Sequence, residues 1–160
     1  METINIPIYR AKKIDSDKYV EGFYKNVLYF KDKHIITSLV NISGVENNIQ
    51  KTNLWDYKNH EIDQSTLAIH FPDMLDSQGN KIFASLSASG KGGDITELQA
   101  SSGTCLSCGD KLPKTLAVAI YEEMEFREIE LNPHKCFRKR EHNYVLIGNL
   151  EYKKVIGIQK

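Results

Sequence analysis

The chain has no apolar run approaching the roughly 18 residues that a membrane-crossing helix requires, and its start, Met1-Glu2-Thr3-Ile4-Asn5-Ile6-Pro7, shows no basic stretch followed by an apolar one. It has no excess charge of either sign: 21 Lys and Arg balance 21 Asp and Glu over 160 residues. No global field therefore steers it toward nucleic acid, an anionic membrane or an acidic substrate, and electrostatic binding has to come from a local patch. Cysteine is scarce and odd in number, three in all. That count argues against a disulfide framework and leaves free thiols or a metal site. Heptads, internal repeats and low-complexity tracts are absent as well. These features predict a cytoplasmic protein with no membrane partner, long enough to bury a core without crosslinks.

What is present is a succession of short apolar runs separated by turn residues. Ile4 to Ala11 reads as extended, with Pro7 suited to an edge strand or a strand start. Asp15-Ser16-Asp17 marks a turn. Tyr19 to Phe30 and His34 to Val40 then read as the two arms of a hairpin. Residues 41–60 are polar and are expected to form a long loop or a boundary, with Trp55 packed on the barrel wall. Between 61 and 95, apolar alternation at Leu67, Ile69 and Phe71 is broken by Pro72-Asp73. Gly79-Asn80 supplies a tight turn, and Ile82 to Leu86 forms another strand.

Residues 116–131 fit two periods. Leu116, Ile120 and Met124 have helical spacing, whereas Val118 and Ile120, Met124 and Phe126, and Ile129 and Leu131 alternate as in a strand. The strand reading is favoured, as a hairpin turning near Glu122-Glu123 with a bulge or bend between Phe126 and Ile129. Strand-like pieces recur at 144–148 and 155–158. The expectation is an all-β fold of small, barrel-like architecture with long loops, as one domain over 1–160, or with a smaller N-terminal β subdomain at 1–45.

The strongest chemical pattern is Cys105-Leu106-Ser107-Cys108, with His134 and Cys136 downstream. Thiols two residues apart can share one tetrahedral zinc, and a distant Cys and His would complete a Cys3His set. The single residue between His134 and Cys136 is shorter than the usual ligand spacing, and incidental loop thiols are the alternative. A thioredoxin-like redox role lacks the flanking strand and helix. Lys135, Arg138, Lys139 and Arg140, with Phe137 among them, form the one dense basic run. They are candidate contacts to a nucleic-acid backbone, or simply a solvated loop. Ser89-Gly90-Lys91-Gly92 is not a Walker loop, since position 85 is Ser rather than Gly and position 92 is Gly rather than Ser or Thr. Asp63, Asp73 and Asp76 read as turn caps rather than ligands to a hard cation. His70 has no nucleophile motif nearby and reads as a packed, hydrogen-bonded histidine. No catalytic residue is assigned.

The segment Glu61-Ile62-Asp63-Gln64-Ser65-Thr66, followed by Asp76-Ser77-Gln78-Gly79-Asn80-Lys81-Ile82-Phe83 and by Gly93-Asp94-Ile95, resembles the middle motif of the YopX family of phage and prophage proteins. Tyr9-Arg10-Ala11-Lys12, Val20-Glu21-Gly22 and Ile147-Gly148-Asn149 match in the same order. The chain departs from the family pattern in the long link Ala84 to Gly92, in the Cys105–Cys108 loop and in the tail after Asn149. The resemblance implies a small phage- or prophage-encoded β-barrel and no activity, because the family is one of unknown function. Residues and resemblance together predict a non-enzymatic protein-interaction or self-assembling module, binding a protein partner or a second copy. A nucleic-acid-associated accessory protein using 135–140 is the alternative. The loops 41–60 and 99–114 are the expected binding regions.

Overall fold

The structure, a computed structural model, describes residues 6–27, 33–41, 44–46, 49–51, 55–99, 103–137, 144–146 and 153–160. Every regular element longer than three residues among them is a strand, which establishes the all-β class. In chain order the strands are β1 (Ile8–Lys12), β2 (Tyr19–Val27), β3 (Lys33–Asn41), β4 (Gly44–Glu46), β5 (Ile49–Lys51), β6 (Trp55–Glu61), β7 (Ala68–His70), β8 (Ala84–Ser85), β9 (Asp94–Leu98), β10 (Leu116–Glu122), β11 (Glu125–Glu130), β12 (Tyr144–Leu146) and β13 (Lys153–Ile158). All but β4 and β5 belong to one sheet of 11 strands, ordered β12-β11-β10-β8-β7-β1-β2-β3-β6. Strand β9 pairs with the first half of β10, and β13 pairs with β9.

The expected barrel does not close. The strand path ends at β12 and β6, and among the described residues nothing joins them. A small closed barrel fills its interior with the inward-facing residue at alternate positions of every strand, but three successive residues of β6, Tyr57, Lys58 and Asn59, are all exposed. Polar contacts join it to β3: Thr37 donates to Asn59 Oδ1 at 2.6 Å, and Ser38 Oγ lies 3.1 Å from His60 Nε2. Residues 41–60, expected as a loop, thus contribute β6, which pairs with β3 from Ile35↔Glu61 to Asn41↔Trp55. Nothing is described for the Trp55 side chain.

Apolar packing concentrates where β1 lies between β2 and β7. Ala11, Ile36, Ile62 and Leu67 form one buried cluster, and Ile69, Met74, Ile82, Ala84 and Ala119 form another; Tyr9 packs against both. Pro7 directly precedes β1, so it sits at a strand start rather than on an edge. The 116–131 segment is a β10–β11 hairpin turning at Glu123-Met124. Its register runs unbroken from Ala117↔Glu130 to Glu122↔Glu125, without the expected bulge. The buried position between Phe126 and Ile129 is Glu128, whose carboxylate pairs with buried Lys153 and accepts from Thr96 Oγ1. A regular strand carrying a paired carboxylate toward the interior therefore mimics a shift of apolar phase.

Two of the three aspartates, Asp63 and Asp76, behave as caps. Asp63 accepts from Ser65 N at the start of the short 3-10 helix Gln64–Thr66. Asp76 accepts from Gln78 N, Asn80 N, Asn80 Nδ2 and Val155 N at 2.8–3.0 Å, tying its own turn to β13. The glycine loop is equally structural: Gly92 has φ +81, and a Cβ there would overlap the Thr66 carbonyl.

Candidate metal centre

The first two thiols sit on a small turn closed by its own backbone. Thr104 bridges to Lys111, Cys105 N donates to Asp110 O, Gly109 N donates back to Cys105 O, and Leu112 N donates to Gly103 O, at 2.8–2.9 Å. Gly109 completes the turn at φ +74, a conformation that favours glycine. The turn buries Cys105 and leaves Cys108 exposed, with Leu106 fully exposed at its tip.

The other two donors leave the end of β11. Asn132 fastens this segment to the start of β10: its Oδ1 accepts from Leu116 N and its Nδ2 donates to Lys114 O, both at 2.8 Å. A short 3-10 helix, Lys135–Phe137, then brings Cys136 beside His134. Lys135 Nζ meets Asp110 at 2.7 Å and so latches the second segment to the first. Asn132 and Asp110 carry no ligand pattern, and neither was singled out by sequence; the only signal is their closeness to the four donors.

The result is a compact donor set. One ligand atom each from Cys105, Cys108, His134 and Cys136 lies within 4.8 Å of every other. Tetrahedral zinc, with Zn–S of about 2.3 Å and Zn–N of about 2.0 Å, would hold its sulfurs ~3.8 Å apart and each sulfur ~3.5 Å from the nitrogen. Cys108 Sγ and His134 Nε2 already stand 3.7 Å apart. The donor chemistry and spacing fit a metal such as zinc, and the short His134-Lys135-Cys136 spacing is no obstacle. His134 Nδ1 accepts from Cys136 N at 3.3 Å; coordination through Nε2 would place the ring proton on Nδ1 and displace that contact.

No family model, curated protein or solved structure matches the chain. The chemistry of the site therefore rests on its own geometry. The backbone N–H of Cys108 lowers the Cys105 pKa, whereas Cys108 is pushed up to about 11: the Asp110 backbone N–H opposes the rise, but desolvation and the neighbouring thiols outweigh it. Asp110 is held below the usual carboxylate range by Lys135, and Lys135 is raised in turn by Asp110.

The remaining candidates do not converge in this way. Lys135 of the basic run is committed to Asp110, and Arg138, Lys139 and Arg140 lie outside the described residues. His70 is buried, its Nδ1–H donating to Ile82 O at 3.0 Å and its ring 5.3 Å from that of Phe83, as expected of a packed histidine. A cleft of about 500 Å³ is lined by Lys12, Asp17, Tyr19, Asp63, Lys91 and Lys160; Lys12 pairs with Asp17 and Lys91 with Asp63, so two of its three lysines are already engaged by carboxylates. No helix among the described residues is long and apolar enough to cross a membrane.

Proposed function

We propose that the chain is a non-enzymatic binding module whose irregular loops are fastened by a structural Cys3His zinc centre. The observation that carries the reading is the gathering of Cys105, Cys108, His134 and Cys136 within 4.8 Å from two separate segments. Four protein donors fill a tetrahedral shell and leave no open position for a reacting water, which is the pattern of structural rather than catalytic zinc. A binding role is supported by the position of the centre: it holds a turn whose tip, Leu106, is 104% exposed. The partner in this proposal is a protein or a second copy of the chain, and the compartment is the cytoplasm. The YopX resemblance, carried by the motifs between Tyr9 and Asn149, makes a phage or prophage origin part of the same proposal.

Purified under reducing conditions, the chain is expected to hold one zinc and to lose thermal stability when a strong chelator removes it. Absence of stoichiometric zinc, with a melting temperature indifferent to chelator, would refute the centre. For the binding role, the expected result is a particle mass above the 18.3 kDa of one chain or a stable protein partner. Salt-dependent retention on DNA, lost on replacing Lys135, Arg138, Lys139 and Arg140 by Ser, would favour the nucleic-acid alternative instead.

A further inference from the structure

We propose that the centre is a thiol switch in which oxidation joins Cys108 to Cys136, expels the metal and leaves the two loops fastened by a disulfide. The proposal rests on the zinc reading above. Three features of the geometry carry it. First, the sulfurs are preassembled: all donor atoms stand within 4.8 Å, so a disulfide of about 2.0 Å requires only local movement of exposed turns. Second, the three thiols are unequal. Cys108 and Cys136 are exposed, whereas Cys105 is 3% exposed and its turn is closed by its own N–H and carbonyl. An oxidant in solution reaches the first two and not the third.

Third, the exposed pair spans the two segments that the metal holds together, whereas a Cys105–Cys108 bond would lie within one turn. A bond from 108 to 136 closes a long loop containing the whole β10–β11 hairpin, and crosslinks of this kind restrict the unfolded chain more than short ones do. The disulfide therefore replaces the metal as a fastener. What changes is the surface: the cation is lost, and Cys105 and His134 are released as ligands.

With hydrogen peroxide as oxidant the step balances. One exposed thiolate attacks a peroxide oxygen, breaking the O–O bond and releasing hydroxide, and becomes a sulfenic acid. The second thiolate attacks that sulfur, forming the S–S bond and displacing a second hydroxide. Two protons from solvent convert both hydroxides to water. Two thiolates have lost two electrons and peroxide has gained them. Zinc, left with one thiolate and one imidazole, departs to solvent.

The test treats the zinc-loaded full chain with one equivalent of peroxide. Released metal is followed with a colorimetric chelator, and disulfides are mapped by mass spectrometry of an unreduced digest. The expected result is one zinc released per chain, one bond between the 108 and 136 segments and Cys105 still alkylatable, all reversed by a dithiol plus zinc. Cys105→Ser, even where it weakens metal binding, is expected to form the same crosslink on oxidation, and Cys108→Ser to form none. Zinc retained under peroxide, thiols over-oxidised without a bond, or an equal crosslink in Cys108→Ser would overturn the switch while leaving the zinc centre intact. A reduced chain that binds no zinc overturns both.

Discussion

Arg10 brings a full charge into the interior beside the Phe83 ring, 4.3 Å from its guanidinium carbon, and answers it with Asp94 at 2.6 Å. Asp94 in turn accepts from Phe83 N at 2.8 Å, so both its oxygens are engaged, and burial pushes its pKa up against the pull of Arg10. Removing one member of a buried pair leaves the other uncompensated. Asp94→Ala is therefore expected to cost about 3–5 kcal/mol in urea unfolding, and replacing both members by apolar residues to cost less than either single change. A cost near zero for Asp94→Ala would mean that the pair is not formed. Both residues appear in the YopX-like motifs, but a sequence cannot show that positions 84 apart meet. His70 gives a pH signature. Burial lowers its pKa below the ordinary 6.5, so below that value the unfolded chain takes up a proton that the folded one resists. Stability should fall as pH drops from about 6.5 toward the folded pKa, and His70→Asn should flatten unfolding midpoints measured between pH 7 and 5.

The β10–β11 hairpin shows which elements are legible from sequence and which are not. Its turn position is legible because the apolar run 116–121 stops at Glu122-Glu123. Its regularity is not, because Glu128 occupies an inward position that the distant Lys153 and Thr96 make tolerable. Strand β6 is hard to read for the opposite reason: after the aromatics Trp55 and Tyr57 its sequence turns polar, and with Tyr57, Lys58 and Asn59 all exposed it lacks the sustained alternation that half-buried strands show. The metal centre was legible as a residue set, because cysteine and histidine are rare and chemically distinctive. Its supports, Asn132 and Asp110, are common loop residues whose roles depend on their partners. The hairpin turn is also strained. Glu123 and Met124 both have positive φ, at 52° and 63°, in a two-residue connection that normally recruits Asn and Gly. Met124 is 87% exposed, so little packing is lost on replacement. Met124→Gly is expected to raise stability by about 0.5–1 kcal/mol, the relief of left-handed strain exceeding the added freedom of the unfolded chain; a lower thermal midpoint would contradict this account of the turn.

At the scale of the molecule, an open sheet is joined to a loop layer that, among the described residues, has no named strand between 99 and 115 and contributes to neither buried apolar cluster. Backbone and side-chain bonds close each piece of that layer locally, and the Lys135–Asp110 latch joins the pieces through an exposed pair, a contact worth little by itself. A metal held by both segments supplies what those contacts lack. Chelation should therefore loosen 103–114 and 131–137 while sparing β1, β2 and β7, seen as faster amide exchange confined to the two loop segments. Lower pH should weaken the metal, because protons compete for the three thiols. The most direct test is X-ray absorption at the zinc edge on the reduced, metal-loaded chain. One zinc per chain with three sulfurs near 2.3 Å and one nitrogen near 2.0 Å is the predicted result; no bound zinc, or a shell dominated by oxygen, would contradict it.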